Sequence, residues 1–288
     1  MSGDRKLPPD DSALSRRGFT AFGVAAGVAL ATGAAGAAPL AVVETDVQVK
    51  TPDGVCDAAL FHPEGKAKHP AVIMWPDALG LRPAFRDMGK RLAAEGYVVL
   101  VPNPFYRTRK APVLAPGFDF GNAADRAKLT ELMAALTPEA ATRDAVAYLA
   151  FLDAQPVTNA KAKAGTVGYC MGGPLTMRTA AVASDRIGAG VSCHGGGLVM
   201  DGPGSPHLLI SKMKASYYCA VAANDDQRQP DAKDKLKAAF ADAHLPATVE
   251  VYDGCNHGWC VKDGAGLVVD GAERAWGHML ALYKTALV

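Results

Sequence analysis

The stretch GTVGYCMGGPL, Gly165–Leu175, sets a cysteine in a Gly-x-Cys-x-Gly-Gly frame. Glycines at 168 and 172 leave room for the chain to turn sharply and to push one side chain, that of Cys170, out of the turn. A nucleophile needs that exposure. A helix starting behind the sulfur favours a thiolate and offers free backbone N–H groups to an oxyanion. The other groups such chemistry requires follow in chain order: an acid at Asp225 or Asp226 and a base at His257. A carboxylate orients the imidazole, the imidazole handles the proton, and sulfur attacks a carbonyl carbon. The competing reading of Cys170 is a buried thiol in a tight strand-to-helix turn.

Those residues need a scaffold that brings three distant loops together. The pattern predicts one. VVETDVQVK and VCDAALFHP read as two strands around a Pro52-Asp53-Gly54 turn. AVIMW (Ala71–Trp75) and YVVLVP (Tyr97–Pro102) are continuous apolar runs of the kind buried in a parallel sheet. Between them Phe85, Met88 and Leu92 share a helix face that ends at Gly96. AGTVGY, IGAGVSC, ASYYCAVAA and ATVEVYD read as further strands. Helices are expected over Asn122–Ala135, from Pro138, from Gly172, over Asp231–Ala243, and at the end, where Trp276, Met279, Leu280 and Tyr283 repeat. Strands that alternate with helices imply an α/β fold, a mostly parallel sheet with helices on both faces and antiparallel strands at the N-terminal edge. Function gathers at the carboxyl ends of such strands. Cys170, Asp226 and His257 each follow a strand, and the order nucleophile, acid, histidine is that of the α/β-hydrolase fold. A lid is expected within residues 104–137, where prolines interrupt the pattern.

GYCMGG, NDDQRQP and NHGW together resemble the dienelactone hydrolase family, also called carboxymethylenebutenolidases. The resemblance runs from about Ala71 to the last helix. It implies a single α/β-hydrolase domain that opens a small-molecule ester or lactone through a Cys-Asp-His triad and a thioester acyl-enzyme, with no metal and no cofactor. Cys170 matches the nucleophile and His257 the base. The family's acid lies four residues before a proline, which selects Asp226 with Pro230 and leaves Asp225 as a loop residue or secondary hydrogen bonder. The oxyanion hole would use the N–H groups of Met171 and Ala78. The sequence departs from the family in two places. Asp77 stands where the family has a glutamate that contacts the resting thiol; Asp77 either keeps that role or caps the following turn. Of two arginines that grip a substrate carboxylate, Arg107 is the best match for the first, out of register by one and with Arg109 competing. Val261 occupies the place of the second, with Lys262 beside it, and lysine lacks the planar fork. A neutral ester or lactone is therefore expected to be turned over at least as efficiently as its carboxylate-bearing analogue.

Other readings of the same residues remain open: a non-catalytic small-molecule binder on this fold, a Cys/His metal protein, or a thiol sensor. CNHGWC, Cys255–Cys260, offers soft ligands and, in an oxidising compartment, a possible disulfide. It lacks the fourth ligand of a structural zinc site. No resolving cysteine stands in a CxxC with Cys170. Cys56, Cys193 and Cys219 lie in or beside strands and read as buried thiols.

The 288 residues and a net charge of +1, with no basic stripe, argue against nucleic acid as a partner. The N-terminus is different in kind. DSALSRRGFTAFGVAAGVALATGAAGAA carries Arg16, Arg17 and Phe19 before a weakly apolar Ala/Gly/Val run. It reads as a twin-arginine-type signal over residues 1–38, removed after export to the periplasm, with membrane contact only in transit. Residues 39–288 are then one domain, a monomer or small homo-oligomer.

Overall fold

β-Branched and apolar residues at alternate positions make strand pairs, and the first two strands close on the Pro52-Asp53 turn. β1 (Val42–Thr51) and β2 (Gly54–Pro63) pair antiparallel, with Thr51 opposite Gly54. The computed structural model describes residues 39–115, 117–264 and 266–288; the expected signal segment lies outside the described residues. Pro39–Val288 makes one compact unit.

Six further strands complete the sheet: β3 (Ala71–Trp75), β4 (Val98–Pro102), β5 (Ala164–Tyr169), β6 (Ile187–Cys193), β7 (Ser216–Ala222) and β8 (Ala247–Tyr252). Their order is β1-β2-β4-β3-β5-β6-β7-β8. β2 meets β4 antiparallel, and β3 through β8 run parallel. Period-2 alternation sends Ile73, Trp75 and Leu100 to one face and Val72, Met74, Val99 and Val101 to the other. Both faces are covered, so β3, β4 and β5 are buried along their whole length.

On one face α1 (Pro83–Ala94) supplies Phe85 and Leu92, and α7 (Val269–Ala286) supplies Trp276, Met279 and Tyr283. On the other, α3 (Pro138–Asp153) brings Tyr148 and Leu152, α4 (Gly172–Val182) Met177, and α6 (Ala232–Asp242) Leu236 and Phe240. Each such side chain contributes roughly 1.5–3 kcal/mol on full burial. The expected helices are present, and α3 begins where Pro138 predicts, with Thr137 Oγ1 accepting from Ala140 N. α2 (Ala123–Ala134) is capped by Asn122. The segment expected to act as a lid is anchored: Phe105, Val113 and Leu132 form a small cluster against Met171. A helix that sequence periodicity misses, α5 (Ala223–Arg228), follows β7 directly.

Candidate active site

β5 delivers the chain to Cys170, which takes a positive φ of 54° before α4 begins. An L-residue enters that region only under constraint. Two close approaches supply it. A Cβ on Gly168 would lie 2.0 Å from the Gly172 carbonyl oxygen, and one on Gly172 would lie 2.4 Å from the Trp75 oxygen. The elbow is therefore pressed against the loop that leaves β3. Trp75 Nε1, which donates to Thr179 Oγ1 of α4 at 3.1 Å, fastens the two elements together. Met171 and Ala78 stand on either side of that contact. The described turns and loops give neither N–H a hydrogen-bond partner, which leaves both available to an oxyanion.

His257 lies in the loop after β8, and Asp225 Oδ2 is 2.5 Å from its Nδ1. The Cys170 sulfur is a near neighbour of the same imidazole and helps to hold its proton. Burial of the ring disfavours its charge. The hydrogen bond to Asp225 and the charges of Asp225 and Cys170 outweigh burial and push the His257 pKa up to about 10. The ring therefore carries its proton at neutral pH. The loop is fixed twice more: Asn224 Oδ1 accepts from His257 N at 2.8 Å, and Ala223 N donates to Cys255 O at 2.9 Å.

The carboxylate beside His257 is thus Asp225 and not Asp226, which the spacing to Pro230 selects. Asp226 turns away and binds Lys233 Nζ at 2.8 Å. The cause is α5. In a helix successive side chains point about 100° apart, so two adjacent aspartates cannot both face one imidazole. Asp225 and Asn224 face the histidine loop; Asp226 faces α6.

Asp77 and the arginines also differ from expectation. Asp77 grips Arg82 through both oxygens, at 2.6 and 2.8 Å, and its Oδ1 accepts from Leu79 N at 2.9 Å. It caps its turn and anchors Arg82, which also binds Asp263. Arg107 is occupied as well: both terminal nitrogens reach Asp144, at 2.7 and 2.8 Å, and Asp53 takes a third contact at 2.6 Å. Asp144 is 0% exposed, so Arg107 neutralises a carboxylate of the protein's own core. Arg109 reaches the Val113 carbonyl, and Lys262 pairs with Asp87 on the surface. Val261 is 1% exposed and belongs to the core, so an arginine there would be buried rather than offered to substrate. Beside the elbow runs a groove of about 180 Å³ walled by Met171, Leu175, Leu136, Met133 and Met200, with one cation, Arg178, in its lining.

All six cysteines are thiols, with Cys56, Cys193 and Cys219 buried as expected. Among the described residues no three His, Cys, Asp or Glu side chains gather as a metal site would require. One histidine outside the expected triad lies in the centre: His194 Nδ1 accepts from Cys170 N at 3.1 Å. Burial, and then the charge of His257, hold its pKa down to about 3. Its run of following glycines, SCHGGG, was the available signal that the chain passes close to something there.

Known proteins share this architecture. A Klebsiella pneumoniae protein provisionally named a dienelactone hydrolase superposes with a TM-score of 0.74 at 20% identity, over 85% of this chain and 99% of that one. A dienelactone hydrolase-like promiscuous phosphotriesterase from metagenomic libraries gives 0.70 at 21%, over 86% of this chain and 100% of that one. In sequence, a Synechocystis protein provisionally named a carboxymethylenebutenolidase is 25% identical over 233 residues, 79% of this chain and 91% of that protein. The carboxymethylenebutenolidase of Pseudomonas putida is 27% identical over 135 residues, 47% of this chain and 55% of that protein. Residues 56–287, from β2 through the elbow and the histidine loop to the end of α7, match the model of the Dienelactone hydrolase family, and the chain belongs to that family of hydrolases.

Proposed function

We propose that this protein hydrolyses small, uncharged esters or lactones, with Cys170 as nucleophile, His257 as base and Asp225 as the carboxylate that orients it. The observation that carries the reading is the His257 imidazole held by Asp225 at 2.5 Å, with the Cys170 sulfur near enough to raise its pKa. With Nδ1 committed to the carboxylate, Nε2 is left for the sulfur. A cationic ring stabilises the negative charge of the attacking thiolate. Sulfur adds to the carbonyl carbon, and the Met171 and Ala78 N–H groups receive the oxyanion. Collapse expels the alcohol, which takes the proton from His257, and leaves a thioester on Cys170. The now neutral ring then draws a proton from water as that water attacks the thioester, and collapse releases the acid and restores the thiolate beside the protonated ring.

One feature favours an uncharged substrate: Arg107 spends its fork on Asp144 and Asp53. The groove beside Met171 is mostly apolar but has Arg178 in its wall, whose guanidinium donates to Gly204 O. Desolvating a carboxylate without a charged partner is costly. The test is a panel of aryl esters and lactones, each with a matched carboxylate-bearing analogue, on the protein and on Cys170→Ala. Neutral members should show kcat/KM at least equal to their anionic partners, and Cys170→Ala should abolish turnover of all. Undiminished turnover by Cys170→Ala would end the reading; a strong preference for the anions would end only its substrate half.

A further inference from the structure

Only three non-glycine residues among those described have positive φ: Cys170 at 54°, His194 at 40° and His244 at 55°. His244 follows α6 and lies where left-handed helix caps occur. The other two meet each other: the Cys170 N–H is shared at 3.1 Å between His194 Nδ1 and the Cys193 carbonyl oxygen. Strained backbone persists where the surroundings over-determine it, and it gathers at functional sites. His194 is itself held by a 2.8 Å bond from its N–H to Ala220 O, at the end of β7.

The imidazole is 1% exposed, and its Nε2 has no partner. Its one hydrogen bond is therefore to the nucleophile's backbone. Its ring also packs edge-to-face on the His257 ring, with centroids 5.1 Å apart, and on Trp259 at the same distance. His194 thus touches both partners at the proposed site: the backbone that aims the sulfur and the ring that serves it.

We propose that His194 is a positioning residue for hydrolysis, which holds the Cys170 backbone in its left-handed turn by accepting the Cys170 N–H at Nδ1. The proposal rests on the assignment of Cys170 and His257 above. Nδ1 can accept only from a neutral ring, and a pKa near 3 keeps it neutral. A misplacement of about 1 Å at a reacting centre can cost on the order of 10²-fold in rate.

A packing role and a positioning role predict opposite rankings of substitutions. His194→Phe keeps the ring and loses the acceptor. His194→Asn loses the ring but places Oδ1 where Nδ1 was, and asparagine tolerates the left-handed region. With p-nitrophenyl acetate, the Phe variant should lose at least about tenfold in kcat with KM within about threefold, and Asn should recover most of that loss even where its Tm is lower. The rate of Cys170 alkylation by iodoacetamide at fixed pH should follow the same order. His194→Gln, which carries its oxygen one bond too far, should resemble Phe and serves if Phe does not fold. Wild-type kcat in Phe or Gln, or an Asn variant as impaired as Phe, would overturn the proposal. Cys170→Ala separates the two levels: if it retains turnover the nucleophile assignment fails, whereas if it is inactive and the Phe variant is not, only the role of His194 falls.

Discussion

Asp225 and Asp226 are chemically identical neighbours, and one peptide unit decides which of them faces His257. Asp225 is 2.5 Å from the imidazole and Asp226 is 2.8 Å from a lysine. Asp225→Asn should lower kcat on the order of 10²- to 10⁴-fold, because an amide can present a donor to Nδ1 and stabilise the wrong tautomer. Asp226→Asn should leave kcat within about threefold, since it removes only a partly exposed ion pair. Steady-state rates of the two variants on one aryl ester check this, and a larger loss at 226 would reverse the assignment. The strand-end positions of Cys170 and His257 were legible in the sequence because glycine spacing and chain order mark them. Which aspartate meets His257 was not, because that depends on helical phase in α5 rather than on distance to Pro230. Asn224, Arg82 and His194 were hidden for a related reason: each acts through a partner far away in the chain, and His257 N, Asp263 and Cys170 N leave no local pattern.

At the scale of elements, the strands and long helices could be read from the sequence because burial writes itself into periodicity. AVIMW and VVLVP are apolar throughout since helices cover both sheet faces. α5 has six residues, ANDDQR, and buries none of them, so no apolar period announces it. The elbow is legible for a different reason, that its glycines are required by contact. A Cβ at Gly172 would sit 2.4 Å from Trp75 O and 2.8 Å from Pro76 O, both backbone atoms that cannot swing aside. Gly172→Ala should therefore push β5–α4 away from the β3 loop and cost about 1–3 kcal/mol or more. That shift separates the Met171 and Ala78 N–H groups, so kcat should fall more than KM rises. Denaturant melts and steady-state kinetics measure both; an unchanged stability and kcat would show that the loop has slack.

Across the whole molecule, the parallel sheet brings the ends of β5, β7 and β8 to one edge, and the loops there carry Cys170, Asp225 and His257. Family membership fixes the hydrolase chemistry in outline, and the side chains around the edge set what it acts on. The arginine nearest the family's carboxylate site is committed to a fully buried aspartate that holds α3 to the loop after β4. Recruiting it for a substrate would leave Asp144 buried without its partner, a loss of roughly 3–5 kcal/mol. Stability and substrate preference are thus linked through one ion pair. The central claim, a covalent intermediate on Cys170, is tested most directly by intact-protein and peptide mass spectrometry on enzyme quenched in acid during turnover of an activated neutral ester. The expected result is a mass gain of one acyl group, mapped to the peptide carrying Cys170 and absent from Cys170→Ala. Continued turnover with no acyl adduct on Cys170, or an adduct on another side chain, would contradict it.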